Sequence, residues 1–211
     1  MKIPDNIYLF RLIHVDNLKH MLSKGVLTCP KHFIKDKNYV NIGDQTLIKS
    51  RNKKRIPVKP GGYFDDYVAF YFGSRPPMLY EIQNGFNNVT KRHPREIIYI
   101  VTDFYTVKDA GLSFVITDGH AYHNFTRFFN NDTGLKYVDW NAVKLKRWND
   151  TEEDPDRKRR KQAECLIYRE LSLELIKAFI VYDEVEKDKI LTIFEQIGLK
   201  HNVFIKPQWY Y

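Results

Sequence analysis

Hydrophobic residues fall in short runs along this chain, most with the two-residue alternation of a strand, and the helical stretches between them are too short and irregular for a repeating strand–helix series. Residues 7–13 predict a first strand, followed by Asp16 as an N-cap, a helix through Leu18, Met21 and Leu22, and Gly25 at its end. Residues 67–72 predict a second strand, and residues 76–80 a short helix closed by Gly85. The most apolar strand spans 96–102, with a helical turn to Ala110 and a strand at 113–117 after it. Past residue 168 the pattern predicts a short helix, a strand at 179–182, an amphipathic helix at 184–196 and a last strand near Val203. Two stretches break the pattern. Residues 29–62 hold only a helix at 44–50 and end in Lys59-Pro60-Gly61-Gly62, and residues 120–160 are aromatic at first and then highly charged from Asn149 onward. Poorly periodic segments of this length are uncommon in a compact domain unless they serve a function. Short strands mixed irregularly with short helices predict the α+β class.

Residues 161–168 place one carboxylate inside a segment that otherwise reads as a buried strand. Alternation puts Gln162, Glu164 and Leu166 on one face and Ala163, Cys165 and Ile167 on the other. An unpaired carboxylate among apolar neighbours is costly, so Glu164 either meets a cation or lines a polar cleft.

With 211 residues and 43% hydrophobic content the chain can bury a sizeable core, and one domain is expected. The formal net charge of +8 favours a polyanionic partner without naming it. Cys29 and Cys165 match no zinc or redox spacing, which fits a reduced, cytoplasmic protein. The start carries no apolar signal region, and no run of eighteen apolar residues offers a membrane span.

Five cations between Lys49 and Arg55, beside Pro57 and the Gly-Gly pair, can clamp phosphates or form a solvated charged face. Aromatics interleaved with His120, His123, Asn124 and Arg127 suit stacking on unpaired bases, although core packing explains Phe128 and Phe129 equally well. His120, His123 and Asp118 lack a fourth ligand, so no metal is expected. The phosphate-loop, dinucleotide-fingerprint and zinc-protease signatures are absent. A nuclease-type acid two residues before a lysine occurs at Asp156 and Lys158, in a hydrophilic stretch rather than on a strand.

Arg11-Leu12-Ile13-His14-Val15-Asp16-Asn17-Leu18, Gly61-Gly62-Tyr63-Phe64-Asp65-Asp66-Tyr67, Pro77-Met78-Leu79, Thr117-Asp118-Gly119-His120-Ala121-Tyr122, Gln162-Ala163-Glu164 and the ending Lys206-Pro207-Gln208-Trp209-Tyr210-Tyr211 occur in the order of the DarT family, which the chain resembles over essentially its whole length. That resemblance implies a single ADP-ribosyltransferase domain over 1–211, with a split β-sheet core flanked by helices. It implies NAD as co-substrate, no metal, transfer of ADP-ribose to N3 of thymine in single-stranded DNA, and a toxin role opposed by a DarG-like macrodomain antitoxin. A monomer is expected, with no membrane partner.

By position in the family motifs, Glu164 and Arg51 are the implied catalytic residues, and Arg11, Leu12, Ile13 and His20 are implied NAD contacts together with Arg51. Arg11 stands where some relatives have His, and His20 where some have Gly. Residues of about 35–53 match the loop that folds over NAD, and about 119–161 the substrate-recognition loop. Tyr71 is a candidate to stack on nicotinamide, or a packed strand residue. His120, Tyr122, Arg75 and Gln162 are candidates to hold the target nucleotide. A guanidinium stays protonated at ordinary pH, so Arg51 is expected to act through its charge, gripping phosphate and stabilising a thymine that loses its N3 proton. Two other readings stay open: transfer to guanine or RNA, and a basic nucleic-acid-binding module without chemistry.

Overall fold

The computed structural model describes residues 2–211. In chain order the elements are β1 (Tyr8–His14), α1 (Leu18–Leu22), β2 (Val26–Thr28), α2 (Gln45–Asn52), β3 (Tyr67–Tyr71), α3 (Pro77–Asn84), β4 (Ile97–Asp103), α4 (Phe104–Asp109), β5 (Phe114–Thr117), β6 (Phe128–Phe129), α5 (Trp140–Lys144), α6 (Arg157–Lys161), β7 (Glu164–Tyr168), β8 (Glu170–Ser172), β9 (Ala178–Val181), α7 (Glu184–Ile197) and β10 (Val203–Ile205). Eight strands form one sheet in the order β10-β9-β4-β1-β3-β7-β5-β6, while β2 and β8 pair separately. The α+β expectation holds.

The sheet is split at its centre. β1 pairs with β4 along its whole length, from Tyr8 opposite Asp103 to His14 opposite Ile97, but meets β3 only at Phe10 opposite Tyr71. Beyond that point the two strands part. The largest core cluster lies on the face carrying Leu9, Phe70, Cys165 and Ile167, and a second one, with Phe10, Leu12, Tyr99 and Tyr210, lies on the other. The alternation of β7 is as expected: Ala163, Cys165 and Ile167 enter the main core, whereas Leu166 joins a third, smaller cluster.

Several elements differ from the pattern-based expectation for local reasons. Asp16 does not cap α1. It sits in a 3₁₀ turn whose cap is the His14 ring, with Nδ1 accepting from the Asp16 amide at 3.2 Å. Asn17, itself buried, instead pins Val40, donating to its carbonyl at 2.7 Å and accepting from its amide at 2.9 Å. The expected helix after β7 is strand β8 followed by a 3₁₀ turn at Leu173–Leu175. Residues 120–160 are not structureless; they contain β6, a 3₁₀ stretch at Asp132–Tyr137, α5 and the start of α6. Gly25 (φ 73°) and Gly85 (φ 74°) close their helical segments in the left-handed region, as expected of them. Both cysteines are free and buried.

Lys161 ends α6 inside the protein, 2% exposed, with Nζ donating to the Val143 carbonyl at 2.6 Å and no carboxylate paired with it among the described residues. It ties α6 to the end of α5 and so fixes the approach of the chain to β7. Burial, helped by the charge of Arg75, pushes its pKa down to about 8 from the ordinary 10.5. The unfolded chain therefore binds more protons than the folded one between those values, and stability rises with pH across that window. We expect wild type to gain up to about 3 kcal/mol relative to Lys161→Met between pH 8 and 10.5, read from denaturant midpoints; parallel curves for the two proteins would refute this.

Candidate active site

Glu164 opens β7 beside the split, opposite Tyr71 of β3. Its side chain is 1% exposed, and both carboxylate oxygens are engaged. Arg51 Nη2 donates to Oε1 at 2.6 Å, and the Ala121 backbone amide donates to Oε2 at 2.9 Å. The Glu164 amide donates to Thr117 Oγ1 at 3.0 Å, whose hydroxyl donates onward to the Gly119 carbonyl at 2.7 Å. The strand ladder and the turn at 118–121 are thus tied together at one threonine.

Arg51 lies in the last turn of α2, which starts because Asp44 Oδ1 accepts from the amides of Thr46 and Leu47. Its guanidinium packs 4.0 Å above the Phe64 ring, and its Nη1 is 2.9 Å from His120 Nε2. A guanidinium has no acceptor, so Nε2 is the accepting nitrogen of the imidazole and Nδ1 carries the proton. Burial, and next the Arg51 charge, hold the His120 pKa well below its usual value, which agrees with a neutral ring. Burial opposes the charge on Arg51, but Glu164 outweighs it and raises the Arg51 pKa. Removing that proton at ordinary pH is out of reach, as the sequence argument required.

A cavity of about 870 Å³ opens over these groups, within the ~300–1,000 Å³ typical of ligand sites. Of the residues singled out in the sequence, Arg11, Leu12, Arg51 and Tyr71 line it toward the split, and His120, Tyr122, Gln162 and Glu164 line it toward the second insertion. Arg11 fills the gap where β1 and β3 part, donating from Nη1 to the Ala69 carbonyl at 3.0 Å. No carboxylate pairs with it among the described residues, its buried Nε has no partner, and burial lowers its pKa. Burial, then the Glu164 charge, push the Tyr71 phenol up to about 12, so it stays a neutral donor. Residues 35–44 and α2 close one side of the cavity, with Lys35, Tyr39 and Ile42 facing it.

Three sequence candidates lie outside the cavity lining. Ile13 packs in the main core. His20 holds the base of the loop, its Nε2 2.6 Å from the Ile34 carbonyl oxygen and its ring edge-on to Phe33. Arg75 stacks on the C-terminal Tyr211 ring at 4.2 Å. His120, expected at a target nucleotide, directly supports Arg51. Sequence reasoning did not single out Phe64, Thr117 or the Ala121 amide. Phe64 stands in the Gly-Gly-Tyr-Phe-Asp-Asp stretch, but a backbone amide has no sequence signal.

A family model described as ssDNA thymidine ADP-ribosyltransferase, DarT, matches residues 10–211. A DNA ADP-ribosyl transferase of Escherichia coli O127:H6 is 31% identical over 208 residues, which are 99% of this chain and 95% of that protein. The structure of Thermus sp. 2.9 DarT in complex with ADP-ribosylated ssDNA superposes with a TM-score of 0.92 at 31% identity, covering 100% of this chain and 99% of that one. The same Thermus protein in complex with NAD+ gives 0.87 at 31% identity, covering 100% of both chains. A Thermosipho africanus protein named as a DNA ADP-ribosyl transferase–DNA ADP-ribosyl glycohydrolase fusion is 23% identical over 175 residues, spanning 83% of this chain and 42% of the fusion. With the split sheet, the Arg51–Glu164 centre and a match that runs from the first strand to the last residue, the chain belongs to the DarT family of ssDNA thymidine ADP-ribosyltransferases.

Proposed function

We propose that the cavity at the split binds NAD and a single-stranded DNA thymine side by side, and that Glu164 and Arg51 carry the transfer of ADP-ribose to thymine N3. The observation that supports this most is a carboxylate held by two donors at the floor of a cavity that the buried cations Arg11 and Arg51 also line. A dinucleotide brings a diphosphate, and Arg11 has no anion of its own to answer. Residues 35–53 fold over the dinucleotide in this reading, and 119–161 receive the DNA.

Cleavage of the nicotinamide–ribose bond leaves its electrons on nicotinamide and builds positive charge on the sugar. A fixed carboxylate answers that charge more strongly in the transition state than in bound NAD. As thymine N3 attacks the ribose carbon its proton leaves, and Glu164 is placed to accept it. Arg51 stabilises the negative charge that develops on the base, and the neutral His120 keeps the guanidinium aimed. Tyr71 forms a wall at the reacting end, and Gln162 and Tyr122 border the acceptor side. The fused glycohydrolase of the Thermosipho relative supports a separate partner that removes the modification, a macrodomain antitoxin to this toxin.

Glu164→Gln keeps the shape and an oxygen acceptor for Arg51 but turns an NH2 on the Ala121 amide, so transfer to a thymine-containing oligonucleotide, followed by mass spectrometry, should fall at least ~10²-fold, with a stability loss of about 1–3 kcal/mol that leaves the protein folded at the assay temperature. Glu164→Ala strands a buried guanidinium and should lose about 3–5 kcal/mol of stability besides. Modification of guanine or RNA instead of thymine, or full activity of the Gln variant, would overturn the reading. Arg11→Ala should raise KM for NAD roughly tenfold or more, the worth of a charged hydrogen bond, with a much smaller change in kcat; an unchanged KM removes Arg11 from the dinucleotide site.

A further inference from the structure

One oxygen of Glu164 is held by a side chain, but the other is held by a backbone amide, and an amide can be aimed only by fixing the turn that carries it. That turn, residues 118–121, follows β5 and ends at Ala121, whose N–H meets Oε2. Thr117 Oγ1 holds its Gly119 carbonyl from the strand side. A second hold, nearer Ala121, comes from Arg159 in α6, five residues before Glu164. Arg159 Nη1 donates to Asp118 Oδ1 at 2.9 Å and to Thr126 Oγ1 at 3.3 Å, and the Arg159 carbonyl accepts from the His120 amide at 2.9 Å. The Thr126 hydroxyl donates to the His120 carbonyl at 2.7 Å, closing the ring of contacts. Asp118 is 3% exposed and also accepts from the Arg127 amide and Nε, while Asp156 grips the far side of the Arg159 guanidinium at 2.7 Å. Gly119 leaves room for the pair to close: a Cβ there would lie 2.4 Å from Arg159 Nη1 and 2.9 Å from the Arg159 carbonyl oxygen.

We propose that Asp118 and Arg159 are positioning residues for the transfer reaction, a buried clasp that aims the Ala121 amide at Glu164 and the His120 ring at Arg51. The inference rests on the catalytic reading of Glu164. Asp118 is not among the residues that line the cavity; Arg159 lines it on the side of the second insertion, with its guanidinium turned to Asp118 and Asp156. Their pairing sets the orientation of the carboxylate, and an amide displaced by even 1 Å no longer satisfies a hydrogen bond of 2.9 Å. Loss of the clasp therefore lowers the rate of nicotinamide release without emptying the dinucleotide site, which is walled on its other side by α2 and the split strands.

The test compares Asp118→Asn, Arg159→Met, Arg159→Lys and Gly119→Ala with wild type in steady-state transfer to a thymine oligonucleotide, alongside Glu164→Gln. We expect kcat to fall at least tenfold in Asp118→Asn, Arg159→Met and Gly119→Ala while KM for NAD stays within threefold. Arg159→Lys, which keeps a cation facing Asp118, should recover a clear part of the rate lost in Arg159→Met. Gly119→Ala matters because it changes no charge and acts only by pushing the turn off Arg159. Circular dichroism at the assay temperature gives the folded fraction of each variant. A rate loss that merely follows the unfolded fraction, or kcat within twofold of wild type in all four, overturns the clasp. An active Glu164→Gln overturns the catalytic reading itself, so the two failures are told apart.

Discussion

The ion pair between Arg51 and Glu164 is the constraint around which the rest of the centre is arranged. Taking a guanidinium and a carboxylate out of water together costs several kcal/mol per ion unless geometry and further hydrogen bonds offset it. The surroundings meet that demand group by group: the Ala121 amide takes the second carboxylate oxygen, the His120 ring nitrogen takes a second guanidinium N–H, and the Phe64 face lies under the cation. The His120 ring must be neutral to do so, and burial together with the neighbouring Arg51 charge holds it neutral. One buried contact thus dictates the protonation of a histidine, the path of a turn and the identity of an aromatic neighbour.

The split in the sheet supplies what that pair needs from the scaffold. A fully laddered β1–β3 pair would leave no opening beside Glu164; because the strands meet only at Phe10 and Tyr71, a cavity forms where Arg11 reaches across to the Ala69 carbonyl. Arg11 also explains an apparent conflict in the strand pattern. It shares the face of Leu9 and Ile13, both buried in the main core, and a cation there would be untenable had β3 stayed paired.

Much of this was legible in the sequence. β3, β4, β5 and β7 are runs of β-branched and aromatic residues, and a lone acid among them marks Glu164, since polar residues in such runs need a partner or a cleft. Arg51 was one of five cations in a charged stretch, and only family resemblance separated it from Lys49, Lys53, Lys54 and Arg55; its burial depends on where α2 docks. β2 and β8 stayed hidden because three residues carry no periodicity. The order within 120–160 was hidden for another reason. Its framework is ionic, with Arg159 and Arg160 reaching Asp118, Asp139, Asp154 and Asp156, and hydrophobic alternation does not register such bonds. Ile13 and His20, transferred by position, lie outside the cavity lining: a motif fixes a backbone location, but packing decides which way the side chain faces.

The end of α2 joins the two insertions that the sequence set apart. Arg51 contacts His120, and three residues later Lys54 donates from Nζ to the carbonyl oxygens of Tyr122 and His123 at 2.7 and 3.2 Å. Burial, and then the Arg51 charge, lower the Lys54 pKa, so the two cations share one short helical end at some electrostatic cost. That cost is offset by what they bind: one a carboxylate and an imidazole, the other a pair of backbone carbonyls. The loop proposed to cover the dinucleotide and the loop proposed to receive DNA therefore meet at the same helical turn that presents Arg51 to Glu164. Bond cleavage in one substrate and bond formation in the other occur at one ribose carbon, and a single rigid turn shared by both loops is the simplest way for a small chain to hold both partners against it.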